Sequence, residues 1–195
     1  VKGRFQRRLN RFSALVEVSG KVEMVHIANS GRLGELLIPD YEMLLTPVNG
    51  VHRKCPYDLT LVDTGKTLVS LDSRLPNLLF EEAFKIGSLS DFTGYQFINR
   101  EITYGESRID ILLHGLAGDC FVETKSGTLV ENDIARFPDA PTSRGVKHLN
   151  HLSDAKSNGY DAAIVFVIQR SDASSFQPDY KSDPDFVEAL ERAVQ

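Results

Sequence analysis

Three ionisable side chains stand close together in residues 107–126, SRIDILLHGLAGDCFVETKS: Asp110, Glu123 and Lys125. The stretch is rich in Ile, Leu, Phe and Val and is broken at Gly115-Leu116-Ala117-Gly118, so it reads as two strands joined by a tight turn. Pairing Gly115 with Gly118 sets Asp110 opposite Glu123, with their Cβ atoms about 5 Å apart. Side chains alternate faces along a strand, so Glu123 and Lys125 point the same way and Asp110 can share their face. Carboxylates that close repel, and charges on an apolar hairpin cost free energy unless they are paired or bound to a cation. A divalent metal resolves both difficulties. Mg²⁺ or Mn²⁺ takes carboxylate oxygens, lowers the pKa of a bound water and steadies charge on a phosphoryl oxygen, while a lysine beside it can position the attacking water. The same residues also fit a solvated hairpin face with an ordinary Glu–Lys pair, because D…E-x-K is a short pattern.

Several elements must hold this hairpin. Residues 75–87, LPNLLFEEAFKIG, predict a helix with Pro76 in its first turn and Gly87 at its end. Glu82 on that helix is a candidate third metal carboxylate, and Glu81 is a surface partner for Lys85. Residues 95–103 predict a strand leading into the hairpin, and residues 135–145, with two prolines, predict a loop. A helix capped by Thr142 or Ser143 then runs to about residue 158, with Val146, Leu149, Leu152 and Ala155 at helical spacing. Arg144, Lys147, His148 and His151 crowd its first turns. Cations there oppose the helix dipole and call for an anion such as phosphate, although a solvated polar face fits as well, and the histidines individually read as surface or satisfied groups. The apolar run at 161–170 predicts a strand covered on both faces in a parallel position, and residues 184–194 a helix with Phe186, Val187, Leu190 and Ala193 inward.

The first half has another character. Residues 1–12 hold Lys2, Arg4, Arg7, Arg8 and Arg11 and no acid, which fits phosphate contact or an exposed basic segment. From 12 to 71, five short runs (FSALVEV, KVEMVHIA, GELLIP, YDLTLVD, KTLVSL) separated by turn residues predict a small closed barrel of oligonucleotide-binding (OB) type. The chain is therefore expected to hold two domains, an OB-like barrel at 1–71 and an α/β domain at 72–195. A net charge of −5 gives no global nucleic-acid signature, so any such binding must come from local basic patches. Cys55 and Cys120 have neither metal-ligand spacing nor a disulfide framework, no apolar run reaches bilayer length, and VKGRFQRR lacks a signal-peptide core; a soluble cytoplasmic protein is the expectation.

The order α-β-β-β-α-β-α, with an acid on one strand and E-x-K on the next, resembles the restriction-endonuclease-like, PD-(D/E)-x-K nucleases, although Ile109 stands where their name-giving proline would be. The stretches RRLNRF (7–12), HIANSGRLGELLIP (26–39), LDSRLPNLLFEEAF (71–84), YGESRID (104–110), VETKSGTL (122–129), ARFPDAPTSRGVKHL (135–149) and FVIQRSD (166–172) resemble the sugar fermentation stimulation protein A (SfsA) family. That resemblance implies an OB-like domain, a nuclease-like mixed-sheet domain with flanking helices, DNA binding, and a regulatory role in sugar, especially maltose, metabolism. With it, Asp110, Glu123 and Lys125 are expected to be catalytic, with Asp110, Glu123 and Glu82 holding Mg²⁺ or Mn²⁺. Arg7, Arg8, Arg11, Arg32, Arg144 and Lys147 are expected to contact DNA. A non-catalytic DNA-binding regulator on the same scaffold and a small-molecule sugar sensor stay open as alternatives, as does the oligomeric state.

Overall fold

The computed structural model describes residues 1–50, 53–116 and 118–195. Its elements are β1 (Lys2–Asn10), β2 (Ser13–Val18), β3 (Lys21–His26), β4 (Glu42–Pro47), β5 (Tyr57–Asp63), β6 (Leu68–Ser70), α1 (Leu75–Lys85), β7 (Tyr95–Tyr104), β8 (Ser107–Gly115), β9 (Gly118–Gly127), β10 (Leu129–Glu131), β11 (Ile134–Phe137), α2 (Ser143–Ser157), β12 (Asp161–Ile168), β13 (Ser175–Pro178) and α3 (Pro184–Ala193). The chain forms two compact units, each assembled from separate stretches. The first comprises Val1–Ser73, Gly127–Ala140 and Ile168–Pro178; the second comprises Arg74–Ser126, Pro141–Val167 and Asp179–Gln195.

In the first unit the strands run in the order β3-β2-β1-β4-β5-β6, and a parallel β3–β5 pairing closes the first five into the OB barrel. Alternation fills its interior with Phe5, Ala14, Val16, Val25, Met43, Leu45, Leu59 and Val62. The basic N-terminal segment is thus no loose tail but a barrel strand, paired with both β2 and β4. Gly3 is needed there, because a Cβ at that position would sit 2.5 Å from Val16 Cγ1 and 2.8 Å from the Glu17 carbonyl oxygen.

GELLIP, read from sequence as a strand, forms turns instead. Leu36 and Leu37 N–H both donate to the Leu33 carbonyl, at 3.1 and 2.9 Å, and Leu33 and Leu36 are buried in the barrel core. The missing strand is β4, one segment later. Residues 127–140 and 168–178 also differ from the expected two-part division. They form a sheet in the order β10-β11-β13 that packs with the first unit. Ser70 N–H donates to the Gln169 carbonyl (3.2 Å), Leu33 N–H donates to Asp139 Oδ2 (3.0 Å), and the Thr67 and Ser171 hydroxyls lie 2.9 Å apart. Residues 135–137, expected as loop, are part of β11.

The second unit centres on a sheet in the order β12-β9-β8-β7 with a core on each face. Phe80 of α1 packs with Ile111, Leu113, Cys120 and Val122; Leu152 and Ala155 of α2 pack with Ile109 and Phe121. In β12, Ala163 and Val165 join the first core while Ala162 and Ile164 join the second. Covering on both faces, at one end of the sheet, therefore accounts for its unbroken apolar run. The helices end as their residues dictate. Thr142 Oγ1 caps α2 by accepting from Gly145 N–H (3.1 Å), and Asp183 Oδ1 caps α3 by accepting from Phe186 N–H (3.1 Å). Asp183 Oδ2 also accepts from Thr142 N–H at 2.7 Å, which ties the two helix starts together. In α3 the inward alanine is Ala189, whereas Ala193 is exposed.

Candidate active site

The β8–β9 ladder runs from Gly115↔Gly118 to Ile111↔Val122, the register expected from the two glycines; Ala117 of the turn lies outside the described residues. Beyond Ile111 the regular pairing stops. Asp110 Oδ2 takes over, accepting from Thr124 N–H at 2.9 Å, and the Thr124 hydroxyl lies between Asp110 Oδ2 (3.3 Å) and Asn77 Oδ1 of α1. A carboxylate thus replaces a main-chain acceptor where the strands part.

The neighbouring strand is distorted at the same row. Pairs Arg100↔Ile111 and Ile102↔Ile109 flank Glu101, which faces Asp110 and has φ +59°, a left-handed backbone rarely taken by a residue with a side chain. The core memberships explain the distortion. Ile98 and Ile111 face the α1 side while Ile102 and Ile109 face the α2 side, so both strands switch faces across this row. Asp110 sits at the switch.

Glu123 is 2% exposed. Its Oε1 accepts from both Lys125 Nζ and His148 Nδ1, while Oε2 is buried and has no hydrogen-bond partner. Burial alone would push this carboxyl up; the His148 hydrogen bond and the Lys125 charge outweigh it and hold the group below the usual carboxylate range. His148, itself buried, is fixed from the far side: its Nε2 accepts from Arg144 Nε at 3.3 Å, so its hydrogen lies on Nδ1 and is donated to Glu123. The site therefore contains an ionised acid with one oxygen anchored and the other open, an adjacent ammonium, and a second carboxylate at a broken ladder. Two carboxylates and solvent are a donor set that suits Mg²⁺ or Mn²⁺.

The other expected residues divide. Glu82 is exposed, and among the described residues no three of His, Cys, Asp and Glu gather into a metal-holding group. Its neighbour Glu81 bonds Lys85 at 2.6 Å, as its spacing predicts, and also Arg100 at 3.3 Å. Arg7, Arg11 and Arg32 are exposed, and among the described residues none of them is in an ion pair. Lys147 reaches Glu106 at 3.3 Å.

Arg8 is turned to structure rather than to a ligand. All five of its guanidinium hydrogens go to main-chain carbonyls: Nε to Asn10 (3.0 Å), Nη1 to Gly31 (2.8 Å) and Arg32 (2.7 Å), Nη2 to Arg11 (2.7 Å) and Asn29 (3.4 Å). With no donor left for a phosphate, Arg8 leaves the set of expected DNA contacts.

Sequence reading missed the roles of His148, Thr124 and Asn77. For His148 the signal was present, since it falls on the buried stripe with Gly145, Leu149, Leu152 and Ala155 and one turn after Arg144. No helix is long and apolar enough to cross a membrane among the described residues.

Two family models cover the chain: SfsA N-terminal OB domain at residues 7–71 and Sugar fermentation stimulation protein RE domain at residues 74–195. The sugar fermentation stimulation protein homolog of Desulforamulus reducens is 44% identical over 191 residues, covering 98% of this chain and 80% of that protein. The homolog of Natranaerobius thermophilus is 45% identical over 199 residues, covering 100% and 83%. The solved structure of Pyrococcus furiosus SfsA in complex with Ca²⁺ matches with a TM-score of 0.92 at 36% identity, covering 99% of this chain and 83% of that one. With both halves matched and relatives above 40% identity along its whole length, the chain belongs to the sugar fermentation stimulation protein (SfsA) family.

Proposed function

We propose that this chain is a DNA-binding protein with a divalent-metal-dependent phosphodiesterase site at Asp110, Glu123 and Lys125, of the PD-(D/E)-x-K kind. One observation carries the reading: Glu123 is buried and ionised, yet one of its oxygens has no partner. A buried carboxylate oxygen left unsatisfied is costly unless a ligand completes it. That P. furiosus SfsA has been solved with Ca²⁺, another oxygen-seeking divalent ion, supports a cation here.

Asp110 and Glu123 would hold Mg²⁺ or Mn²⁺. When bound, the ion supplies Lewis-acid polarisation of the phosphoryl group and a more acidic water. The chain's own groups do the rest. His148 and Lys125 fix Glu123 through Oε1 and so present Oε2, and Thr124 N–H holds Asp110 through Oδ2. Lys125 Nζ has hydrogens beyond the one given to Glu123, and these orient the attacking water or meet charge on a phosphoryl oxygen. Arg7, Arg11, Arg32, Arg144 and Lys147 contact DNA phosphates, and through DNA the protein acts on sugar metabolism.

The test is cleavage of labelled DNA by wild type and Asp110→Ala, each with Mg²⁺, Mn²⁺ or EDTA, alongside calorimetric Mn²⁺ binding. Metal-dependent cleavage and Mn²⁺ binding that both vanish in the variant are expected. Equal cleavage by the variant would sink the mechanism; salt-sensitive DNA binding without cleavage in any metal would replace it with a non-catalytic regulator.

A further inference from the structure

The Arg8 bracket has a display side. One guanidinium gathers carbonyls from two segments, the β1–β2 turn (Asn10, Arg11) and the loop after β3 (Asn29, Gly31, Arg32). Both segments are further locked. Phe12 N–H donates to Asn10 Oδ1 (2.8 Å) and its carbonyl accepts from Ile27 N–H (2.9 Å); Gly31 N–H donates to Asn29 Oδ1 (2.8 Å) and Leu33 N–H to Asp139 Oδ2 (3.0 Å). Leu33, buried, is held at φ +52°.

Backbone fixed this heavily fixes what it carries. Arg11 and Arg32 are exposed on it, and Phe12, in the turn between β1 and β2, is 51% exposed. Neither arginine is in an ion pair among the described residues, and Arg8 adds a third positive charge beside them, against the one carboxylate of Asp139 that is turned to the Leu33 amide. In a chain of net charge −5, a fixed concentration of cations around an exposed aromatic ring is an anion site with a stacking surface. Phosphate meets the arginines; the ring needs a flat partner. In a duplex the base faces are covered by their neighbours, whereas a single strand offers them.

We infer that Arg11, Phe12 and Arg32 form a single-strand DNA site on the barrel, with a base stacked on Phe12 and the adjoining phosphates on the two arginines. This rests on the DNA-binding reading above and adds to it a preference for unpaired strands. The experiment is fluorescence anisotropy of the full chain in EDTA with a labelled oligo-dT of about 15 nucleotides and a duplex of equal length. Phe12→Ala should weaken binding of the single strand about tenfold and leave the duplex unchanged, Phe12→Trp should restore it, and Arg32→Ala should flatten the salt dependence. Because Phe12 is exposed, thermal unfolding of Phe12→Ala should match wild type. Single-strand affinity unaltered by Phe12→Ala, or lost equally for strand and duplex, overturns the inference while DNA binding stands. Failure of wild type to bind either probe overturns both readings.

Discussion

Arg8 is a half-buried charged group and Glu123 a buried one, and the protein treats them in opposite ways. Around Arg8 every donor is matched by a carbonyl, and the result is a loop and a turn that cannot shift independently. Around Glu123 one oxygen is gripped by the Lys125 ammonium and the His148 N–H, and the other is left without a partner. Complete satisfaction marks a structural charge; partial satisfaction at a buried site marks a charge held ready for something else. The contrast separates two residues that a sequence reading places together as functional.

The sharpest way to break that contrast is to neutralise each. Glu123→Gln should abolish Mn²⁺ binding, read by calorimetry, while the chain stays folded by circular dichroism. Arg8→Ala should instead lower stability by about 2–4 kcal/mol in urea unfolding, since several charge-assisted hydrogen bonds go at once, and leave Mn²⁺ affinity unchanged. A folded, fully stable Arg8→Ala protein that had lost Mn²⁺ binding would invert the assignment.

Acidity offers a second comparison. Glu123 is held below the ordinary carboxylate range, so its ionic contacts add stability above the unfolded value of 4.5, and that stability is lost as pH falls through the native pKa. Glu35, in the barrel unit, goes the other way: burial raises it, with Asp139 and Glu131 adding to the rise and Arg170 opposing it, and its Oε1 is also unpartnered. Its native form is therefore most favourable below 4.5 and loses ground as pH rises through its raised pKa. Urea unfolding should show Glu123→Gln less stable than wild type at pH 7, the deficit shrinking toward pH 3. Glu35→Gln should be more stable at pH 7, by less than about 1 kcal/mol, with no gain at pH 4.

The smallest effect concerns the backbone. Glu101→Gly, which accepts φ +59° without a Cβ clash, should raise stability by up to about 1 kcal/mol, and Glu101→Val should lower it by more. Equal unfolding midpoints for the three would mean that the row facing Asp110 stores no strain.

The register of the central hairpin was legible because two glycines and a period of two leave one solution that buries Ile111, Leu113 and Val122 together. Helix α1 and the caps of α2 and α3 were legible for local reasons: Pro76, Gly87, Thr142 and Asp183 act within a few residues of where they stand. What stayed hidden depends on distant partners. The arginine-rich start looks like any exposed basic tail until β2 and β4 pair with it, and GELLIP has the composition of a strand but is pulled into turns by the need to fill the barrel with Leu33 and Leu36. At the site, the contact between Glu123 and Lys125 could be read from spacing, whereas the bond from Thr124 N–H to Asp110, past the end of the regular ladder, could not. The anchoring of Glu123 by His148 could not, because it joins residues 25 apart in sequence across a helix and a sheet.

The way the chain divides between its two units also sets an order of events on the ribosome. Strands β1 to β6 emerge first, but β10, β11 and β13 are made only after α1 and the central hairpin, and β13 follows α2 and β12 as well. Until residue 178 has been synthesised, the Leu33 amide awaits Asp139, Thr67 awaits Ser171 and Ser70 awaits Gln169 for part of that time. Of the two units the barrel is thus begun before the other and completed late, and a fragment ending at residue 73 would keep that unfinished state permanently.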